Sequence, residues 1–433
     1  MKLPEGFSFA PVTSSDKADV FEFDQWVFPS SQKLEEFLKQ PEPFTYDRSV
    51  AVRDAAGAIA GFHTSYPFAN FNVPGATTAV SGLSWVGVHP QHRRRGILRA
   101  MIEKHFEDCA AREEPISVLY AAEPTIYGRF GYGRSAHDVR FKLGRGAAQR
   151  ELATDLAPAD MDLAVRIEKF NQTSHVDLIE TLHTRAGQNV NGTGLNRPGW
   201  ATRETEQLRA SMHYVDETNP TRESPRIVIV ERAGQPVAYS LFRRTVNWQD
   251  TGATGEVHAG EVVALDAAAS RKIWSVLADL DLTDSVTAFM VPTDDPLIGR
   301  LENSRSIKMH HVDNVWTRII DLPTALTKRQ YASDVEVVFE VTDAFIPTNA
   351  GRWKLSAAAF NGPSGSRKPT VERTEDPADI TIDIRELGTA YLGGPTLASL
   401  VAAGLVTSTN PHALATASTA FGWPNAPMST WVF

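Results

Sequence analysis

Residues 79–109 read AVSGLSWVGVHPQHRRRGILRAMIEKHFEDC, and this stretch decides the fold. It opens with period-2 alternation: Val80, Ser84, Val86 and Val88 share one face and Leu83 and Trp85 the other, the pattern of a half-buried strand, which Pro90 ends. After a basic loop, Gly96 opens a segment with apolar residues at Ile97, Leu98, Met101, Ile102, Phe106 and Cys109, mostly three or four apart, which predicts an amphipathic helix. The unit is strand, tight basic turn, helix. The first N–H groups of such a helix have no internal partner and sit at the positive end of its dipole, so the junction suits an anion. Arg93, Arg94 and Arg95 add charge, and Gly96 leaves the main chain open to a phosphate. A solvated basic loop is the plain alternative, but a basic run between a strand and a helix N-terminus beside a glycine is more specific than a basic run alone.

Length and composition set the frame around that unit. A chain of 433 residues is too long for one ordinary core and predicts two to four domains. With 42% hydrophobic and 22% charged residues it has the make-up of a soluble globular protein. The net charge of -9 argues against a nucleic-acid partner held through phosphates and is compatible with a cationic substrate. Cys109 is the single cysteine, which excludes intramolecular disulfides, a multi-cysteine metal site and a Cys-x-x-Cys redox centre; no metal is expected. The N-terminus lacks the apolar core of a signal peptide and no 18-residue apolar run occurs, so the expectation is a cytoplasmic protein without a membrane span.

A second motif follows the expected strand Ile116 to Ala122: residues 123–133 read EPTIYGRFGYG. Val86-Gly87-Val88, a proline, and then Arg93 and Gly96 in an Arg-x-x-Gly-x-(Gly or Ala) frame resemble the acetyl-CoA signature of the GNAT superfamily of N-acetyltransferases. Leu98 departs from the final small residue of that frame. In the enhanced-intracellular-survival (Eis) family the loop reads much as HRRRGILRAM does here, and the 123–133 segment resembles the one that carries that family's catalytic tyrosine. The resemblance implies Tyr127 as general acid, acetyl-CoA as co-substrate, and cofactor contacts at Val86, Gly87, Val88, Arg94, Arg95, Gly96, Ile97, Leu98, Arg99, Ala122 and Glu123. The chain ends Ser429-Thr430-Trp431-Val432-Phe433, and the resemblance makes the terminal carboxylate of Phe433 the general base; a terminal aromatic packed on its own domain is the alternative. It further implies a homohexamer and a broad range of amine-bearing small molecules, including aminoglycosides, or protein lysines as acceptors. Rival readings are a protein-lysine or polyamine acetyltransferase and a non-catalytic acyl-CoA- or lipid-binding module.

Taken in order, the chain predicts helices over Lys17 to Phe28 and Ser31 to Lys39, then a hairpin, Val50 to Arg53 and Ile59 to Tyr66. In the acetyltransferase fold the first two helices flank the acceptor cleft. Glu22, Asp24 and Trp26 therefore either meet a cationic substrate or form a solvated helix face with its aromatic inward, and Ser84 and Trp85 complete the candidate acceptor contacts. The order repeats: Arg226 to Tyr239 reads like Ser49 to Gly61, and Gly260 to Leu265 leads into an apparent helix, Arg271 to Leu280, without a basic run or phosphate-loop glycine. This predicts a second, degenerate acetyltransferase-like copy that has lost its cofactor site; chance similarity of two hairpins is the alternative, since the two stretches share pattern more than identity. Its opening helices would lie in 158–223, including Ala164 to Phe170, with an exposed loop over Gln188 to Pro198. Strands at Val335 to Val341, Gly351 to Ala358 and Ile380 to Ile384, a loop at Asn361 to Pro377, and three short helices predict a closing α+β domain that resembles a sterol-carrier unit. The fold expected is thus α/β and α+β: two tandem GNAT-like domains, 1–147 and 148–305, followed by a sterol-carrier-protein-like domain, 306–433.

Acetyl transfer to an amine needs a neutral amine, a polarised carbonyl and a proton for the departing thiolate. A phenol near ~10 and a thiol near ~8.5 are close enough for that last step, whereas an α-carboxylate near ~3.5 is a weak base for an ammonium near ~10. Glu123 acting through water is the alternative base, and His89 and His92 are read as loop residues facing solvent or a phosphate. No Gly-x-x-x-x-Gly-Lys loop, Gly-x-Ser-x-Gly elbow or His-Glu-x-x-His occurs, which removes support for P-loop ATPases, typical serine hydrolases and zinc proteases.

Overall fold

A computed structural model describes residues 3–153, 162–214, 223–362 and 368–433. The strands of the amino-terminal half are β1 (Phe7–Pro11), β2 (Val50–Asp54), β3 (Ile59–Val73), β4 (Ala76–Val88), β5 (Ile116–Tyr120) and β6 (Gly133–Arg134), with helices α1 (Lys17–Val27), α2 (Leu34–Lys39), α3 (Ile97–Ala111) and α4 (Pro124–Tyr127). The middle of the chain holds β7 (His137–Gly144), β8 (Leu163–Lys169), α5 (Gln172–Gln188), α6 (Glu206–Met212), β9 (Arg226–Arg232), β10 (Gln235–Thr245), a small pair β11 (Trp248–Gln249) and β12 (Gly252–Ala253), β13 (Gly255–Ala264), α7 (Ala267–Leu277), β14 (Thr283–Pro292), α8 (Pro296–Arg300), β15 (His310–Asp313) and β16 (Val315–Ile319). The remainder is α9 (Leu322–Lys328), β17 (Val335–Thr342), β18 (Gly351–Ala357), β19 (Thr370–Arg373), β20 (Ile380–Asp383), α10 (Ile384–Tyr391), α11 (Leu397–Ala402), β21 (Thr407–Ser408) and α12 (Pro411–Phe421).

Among the described residues three main sheets form, ordered β1-β2-β3-β4-β5-β16-β6, β15-β7-β14-β13-β10-β9-β8 and β19-β18-β17-β20-β21. The first two exchange strands. Residues 137–144, expected with the first unit, pair with β14 and β15 in the second sheet. Residues 310–313 and 315–319, expected with the third unit, complete the second and first sheets respectively. A straight cut of the chain at 147 or 305 therefore separates no sheet from its neighbour.

Four local expectations change. Residues 163–169 form a strand paired along its whole length with β9, because Leu163, Val165 and Ile167 alternate with Ala164, Arg166 and Glu168; of the other residues expected to open this copy, Gln172–Gln188 and Glu206–Met212 are helical, and 158–161 and 215–222 lie outside the described residues. The helix expected from Arg271 starts at Ala267, where the Asp266 carboxylate accepts the Ala269 N–H and pairs with Arg232 at 2.7 Å. The loop 188–198 is half committed: Arg197 and Pro198 are buried, and Asn196 donates to the Val73 and Ala76 carbonyls at the β3–β4 turn. Within the loop expected over Asn361 to Pro377, Thr370–Arg373 pairs with β18.

The third sheet is held against the first by two close approaches. A Cβ on Gly388 in α10 would stand 2.5 Å from the Thr317 carbonyl of β16, and one on Gly133 in β6 would collide with the Arg385 carbonyl. Main chain thus packs on main chain at this boundary, as only glycine allows. The continuous core that results runs from Phe68, Phe71 and Val80 through Val315 and Ile319 to Phe339, Leu387 and Phe421.

Candidate active site

β4 and β5 run parallel but pair only over Ser81–Leu83 with Ser117–Leu119, although β4 continues to Val88. The divergence opens a cavity of about 770 Å³. Trp85 sets its shape. Its φ of 55° makes a bulge, and the β3 partners jump from Thr64 opposite Ser84 to Phe62 opposite Gly87. The extra residue reverses the expected faces: Trp85 leaves the side of Leu83 and packs with Phe37, Phe44 and Phe62, while Val86 turns to Ile97 and Leu98 of α3. A bulge flips every later side chain, which simple alternation cannot anticipate. The His89 N–H donates to the Ala60 carbonyl at 2.9 Å, so the alternation of strand amides turns the Val88 N–H away from β3, toward the cleft.

The basic loop is folded for anions. His89 Nδ1 accepts the Gln91 N–H, a short turn follows over Pro90–His92, and Arg94 and Gly96 both take left-handed conformations, φ 64° and 90°. A Cβ on Gly96 would meet no atom within 4 Å, so the main chain there faces open space. From it rises the 15-residue α3, with Ile97, Met101, Ile102, Phe106 and Cys109 buried as its apolar face requires. Arg93, Arg94, Gly96, Ile97, Leu98 and Arg99 line the cavity together with Val86, Gly87 and Val88; Arg95 is exposed and outside the lining. The donor set, a helix N-terminus, a left-handed glycine and flanking arginines above an apolar groove, fits the phosphates and thin pantetheine arm of a coenzyme A thioester.

The far wall carries Ala122, Glu123 and Tyr127, so these join the loop residues around one space. Pro124 at the first helical position starts α4 straight after β5, and Tyr127 ends it. Tyr127 is buried, its ring 5.9 Å from that of Tyr132 at 75°, and its hydroxyl takes part in none of the hydrogen bonds among the described residues. Burial, and then the charge of Glu123, push the phenol up to about 12. Behind it the Tyr132 hydroxyl meets Ser117 Oγ at 2.9 Å, which meets His105 Nε2 at 2.8 Å, and burial keeps that imidazole well below its usual value.

Several lining residues escaped the sequence reading. Val27 and Phe28 come from the end of α1, whose side chain at Val27 would touch a Cβ on Gly87 at 2.9 Å. Phe345 arrives from the third domain, its ring 5.0 Å from the Arg99 guanidinium and its N–H held by Asp343. Asp343 in turn pairs with the buried Arg318 of β16 at 2.7 Å. Nothing local in the sequence marks Phe345, because its role depends on a boundary between distant segments.

Phe433 does not line this cavity. Its ring is buried 5.0 Å from Phe68 of β3 and 5.5 Å from Trp431, and Trp431 lies 6.1 Å from Tyr66. The Trp85 indole donates to the Tyr66 hydroxyl at 3.3 Å, and that hydroxyl donates to the Pro43 carbonyl at 2.9 Å. Buried Ser84 adjoins the same hydroxyl. Tyr66 therefore joins the strand residues of the expected acceptor side to the chain's end. Asp24 is half-buried on α1, where burial raises its carboxyl to about 7. Trp26 is 65% exposed and tilts over His89, 5.3 Å away; Glu22 faces solvent.

Comparison with known proteins agrees with this architecture. Residues 8–135 and 195–319 each match an acetyltransferase (GNAT) domain, and residues 322–430 match a sterol carrier protein domain. An uncharacterized N-acetyltransferase of Streptomyces avermitilis is 35% identical over 383 residues, 88% of each chain. The N-acetyltransferase Eis of Mycobacterium tuberculosis is 29% identical over 394 residues, 89% of each chain. Eis1 from Mycobacterium abscessus superposes with a TM-score of 0.78 at 25% identity, over 99% of this chain and 100% of that one. The chain belongs to the Eis family of GNAT N-acetyltransferases. As an Eis-family protein it is an acyltransferase with two GNAT domains and a sterol-carrier-like domain, and GNAT enzymes draw their acetyl group from acetyl-CoA. In the second domain β13 and β14 run parallel as β4 and β5 do, with α7 in the place of α3, but only Leu265 and Asp266 connect β13 to α7 where the first domain has its basic loop.

Proposed function

We propose that this Eis-family enzyme transfers acetyl from acetyl-CoA directly to primary amines of cationic, amine-rich acceptors, aminoglycosides among them, with Tyr127 as general acid and the Phe433 carboxylate as general base. The observation that carries the reading is the meeting of Tyr127 with the Arg93–Arg99 loop in one cavity at the parting of β4 and β5. Acetyl-CoA, when bound, supplies the activated acetyl group. The Arg94 and Gly96 turn and the amides of the first turn of α3 hold its phosphates, and the Val88 N–H, facing the cleft, polarises the acetyl carbonyl. Tyr127 stays protonated throughout the physiological range and donates to the leaving sulfur. Its distance from a thiol near ~8.5 costs roughly 5 kcal/mol against complete transfer, so the phenol acts chiefly as a hydrogen-bond donor that strengthens as charge develops. Phe433 accepts the amine proton, and a wide acceptor side bearing Asp24 holds cations without reading their outline closely.

The test is acetyl transfer to a panel of aminoglycosides and polyamines by the intact chain and by a chain with one residue added after Phe433. The extended chain is expected to lose about a hundredfold in kcat. Unchanged turnover would remove the terminal carboxylate from the mechanism and leave Glu123 with a water as the base.

A further inference from the structure

The second GNAT domain has a cleft of its own. β13 and β14 pair over Gly255–Ala259 with Thr283–Ala288 and then part, Met290 taking a φ of 55° as Trp85 does in the first domain. The space between their ends, beside Ser270 and Trp274 of α7, corresponds by strand order to the large cavity of the first domain. Here only about 60 Å³ remains, and Met428 and Thr430 line it. Two residues of the carboxy-terminal tail thus stand in the wall of this narrow cleft.

The tail is held there by buried polar groups. The Met428 N–H donates to the Pro198 carbonyl at 2.9 Å. Asn314, fully buried beside β16, accepts the Ser429 N–H at 2.8 Å and donates to the Ser429 carbonyl at 3.1 Å. His183 of α5 is fully buried and kept neutral by burial. The Trp200 indole donates to the His183 carbonyl at 3.0 Å and lies 3.2 Å from the ring's Nδ1, and Nε2 on the other side shares a hydrogen bond with Thr430 Oγ1 at 2.8 Å. Three residues later the chain ends at Phe433 against Phe68 of the first domain. Chain termini ordinarily fray; this one is gripped on both main-chain groups of Ser429 and on the hydroxyl of Thr430.

We infer that the degenerate second domain has exchanged cofactor binding for seating the tail, and that His183, Asn314 and Thr430 are positioning residues for the Phe433 carboxylate. The inference rests on the reading of Phe433 as base, and it assigns the second domain a task in the chemistry of the first.

Thr430→Val in the full chain keeps the shape and removes the hydroxyl that is hydrogen-bonded to His183 Nε2. Expected are a fall in kcat of roughly tenfold to a hundredfold, as for a misplaced catalytic group, an unchanged KM for acetyl-CoA, and amide exchange over 429–433 at least about tenfold faster. Calorimetric titration of the wild-type chain with CoA should give one site per chain; two sites would overturn the exchange. If Thr430→Val keeps wild-type kcat and tail protection while the one-residue extension abolishes turnover, the seating role falls and the base stands. If the tail loses protection but both Thr430→Val and the extended chain turn over normally, the base reading fails and positioning fails with it.

Discussion

Replacing Tyr127 by Phe separates chemistry from stability at this site. The phenol is buried, and its hydroxyl takes part in no hydrogen bond among the described residues, so its removal breaks none of those bonds. The hydroxyl opens on the cavity rather than on dry core, so deleting it should change the unfolding free energy by less than about 1 kcal/mol. The ring remains to pack on Tyr132, and the anion-binding loop is untouched. The whole cost should therefore fall on kcat: loss of a positioned acid removes roughly 10²–10⁴, or about 2.7–5.4 kcal/mol of transition-state stabilisation. Thiol release at saturating acetyl-CoA, together with the KM for acetyl-CoA and thermal unfolding, measures each part. The pH profile adds a constraint. An acid works while protonated, and with its phenol at about 12 Tyr127 loses its proton only as pH rises through that value, so it contributes no falling limb between pH 8 and 10. A kcat within threefold of wild type, a loss shared equally by KM, or a falling limb near pH 9 that disappears in Tyr127→Phe would refute the assignment.

Two further outcomes follow from the geometry. Asp24 has a folded value of about 7 against 3.8 unfolded, so the folded protein holds this proton more tightly; stability falls as pH rises between those values, by at most about 4 kcal/mol. Asp24→Asn should remove that fall in denaturation and flatten the rise of kcat/KM for a dicationic acceptor through pH 7; identical pH profiles would detach Asp24 from acceptor binding. Gly388→Ala places a methyl 2.5 Å from the Thr317 carbonyl and should destabilise the intact chain by about 1–3 kcal/mol in denaturant titration, despite alanine's better helix propensity; wild-type stability would mean that α10 does not dock on β16 as described.

What could be read in advance follows the reach of the physics involved. The unit β4–loop–α3 announced itself because strand and helix periods sit side by side and the glycine and arginines are contiguous. Tyr127 was legible through the likeness of residues 123–133 to a family segment. The second GNAT copy showed in its repeated hairpin, and the third domain in its strand pattern. The bulge at Trp85 was not legible, since a left-handed tryptophan has no compositional mark and acts only through the register of β3. Residues 163–169 were misassigned although their alternation was present, because charged residues between apolar ones also suit an exposed helix. Strand exchange, the wall contributed by Phe345 and the raised carboxyl of Asp24 all depend on which distant segments pack together, which no window of sequence contains.

The position of β16 has a consequence for how the protein is made. This strand stands between β5 and β6 in the first sheet, yet it is synthesised some 180 residues after β6. At translation speeds of about 5–20 residues per second, the nascent acetyltransferase half waits roughly 10–40 s with the edge of β5 unpaired. An open edge of that kind is where chains associate wrongly. The amino-terminal domain, despite holding the entire anion-binding loop, cannot close its sheet on the ribosome until most of the second domain has emerged. A ribosome that stalls between β6 and β16 therefore releases a polypeptide that carries the basic loop on a sheet still open at β5.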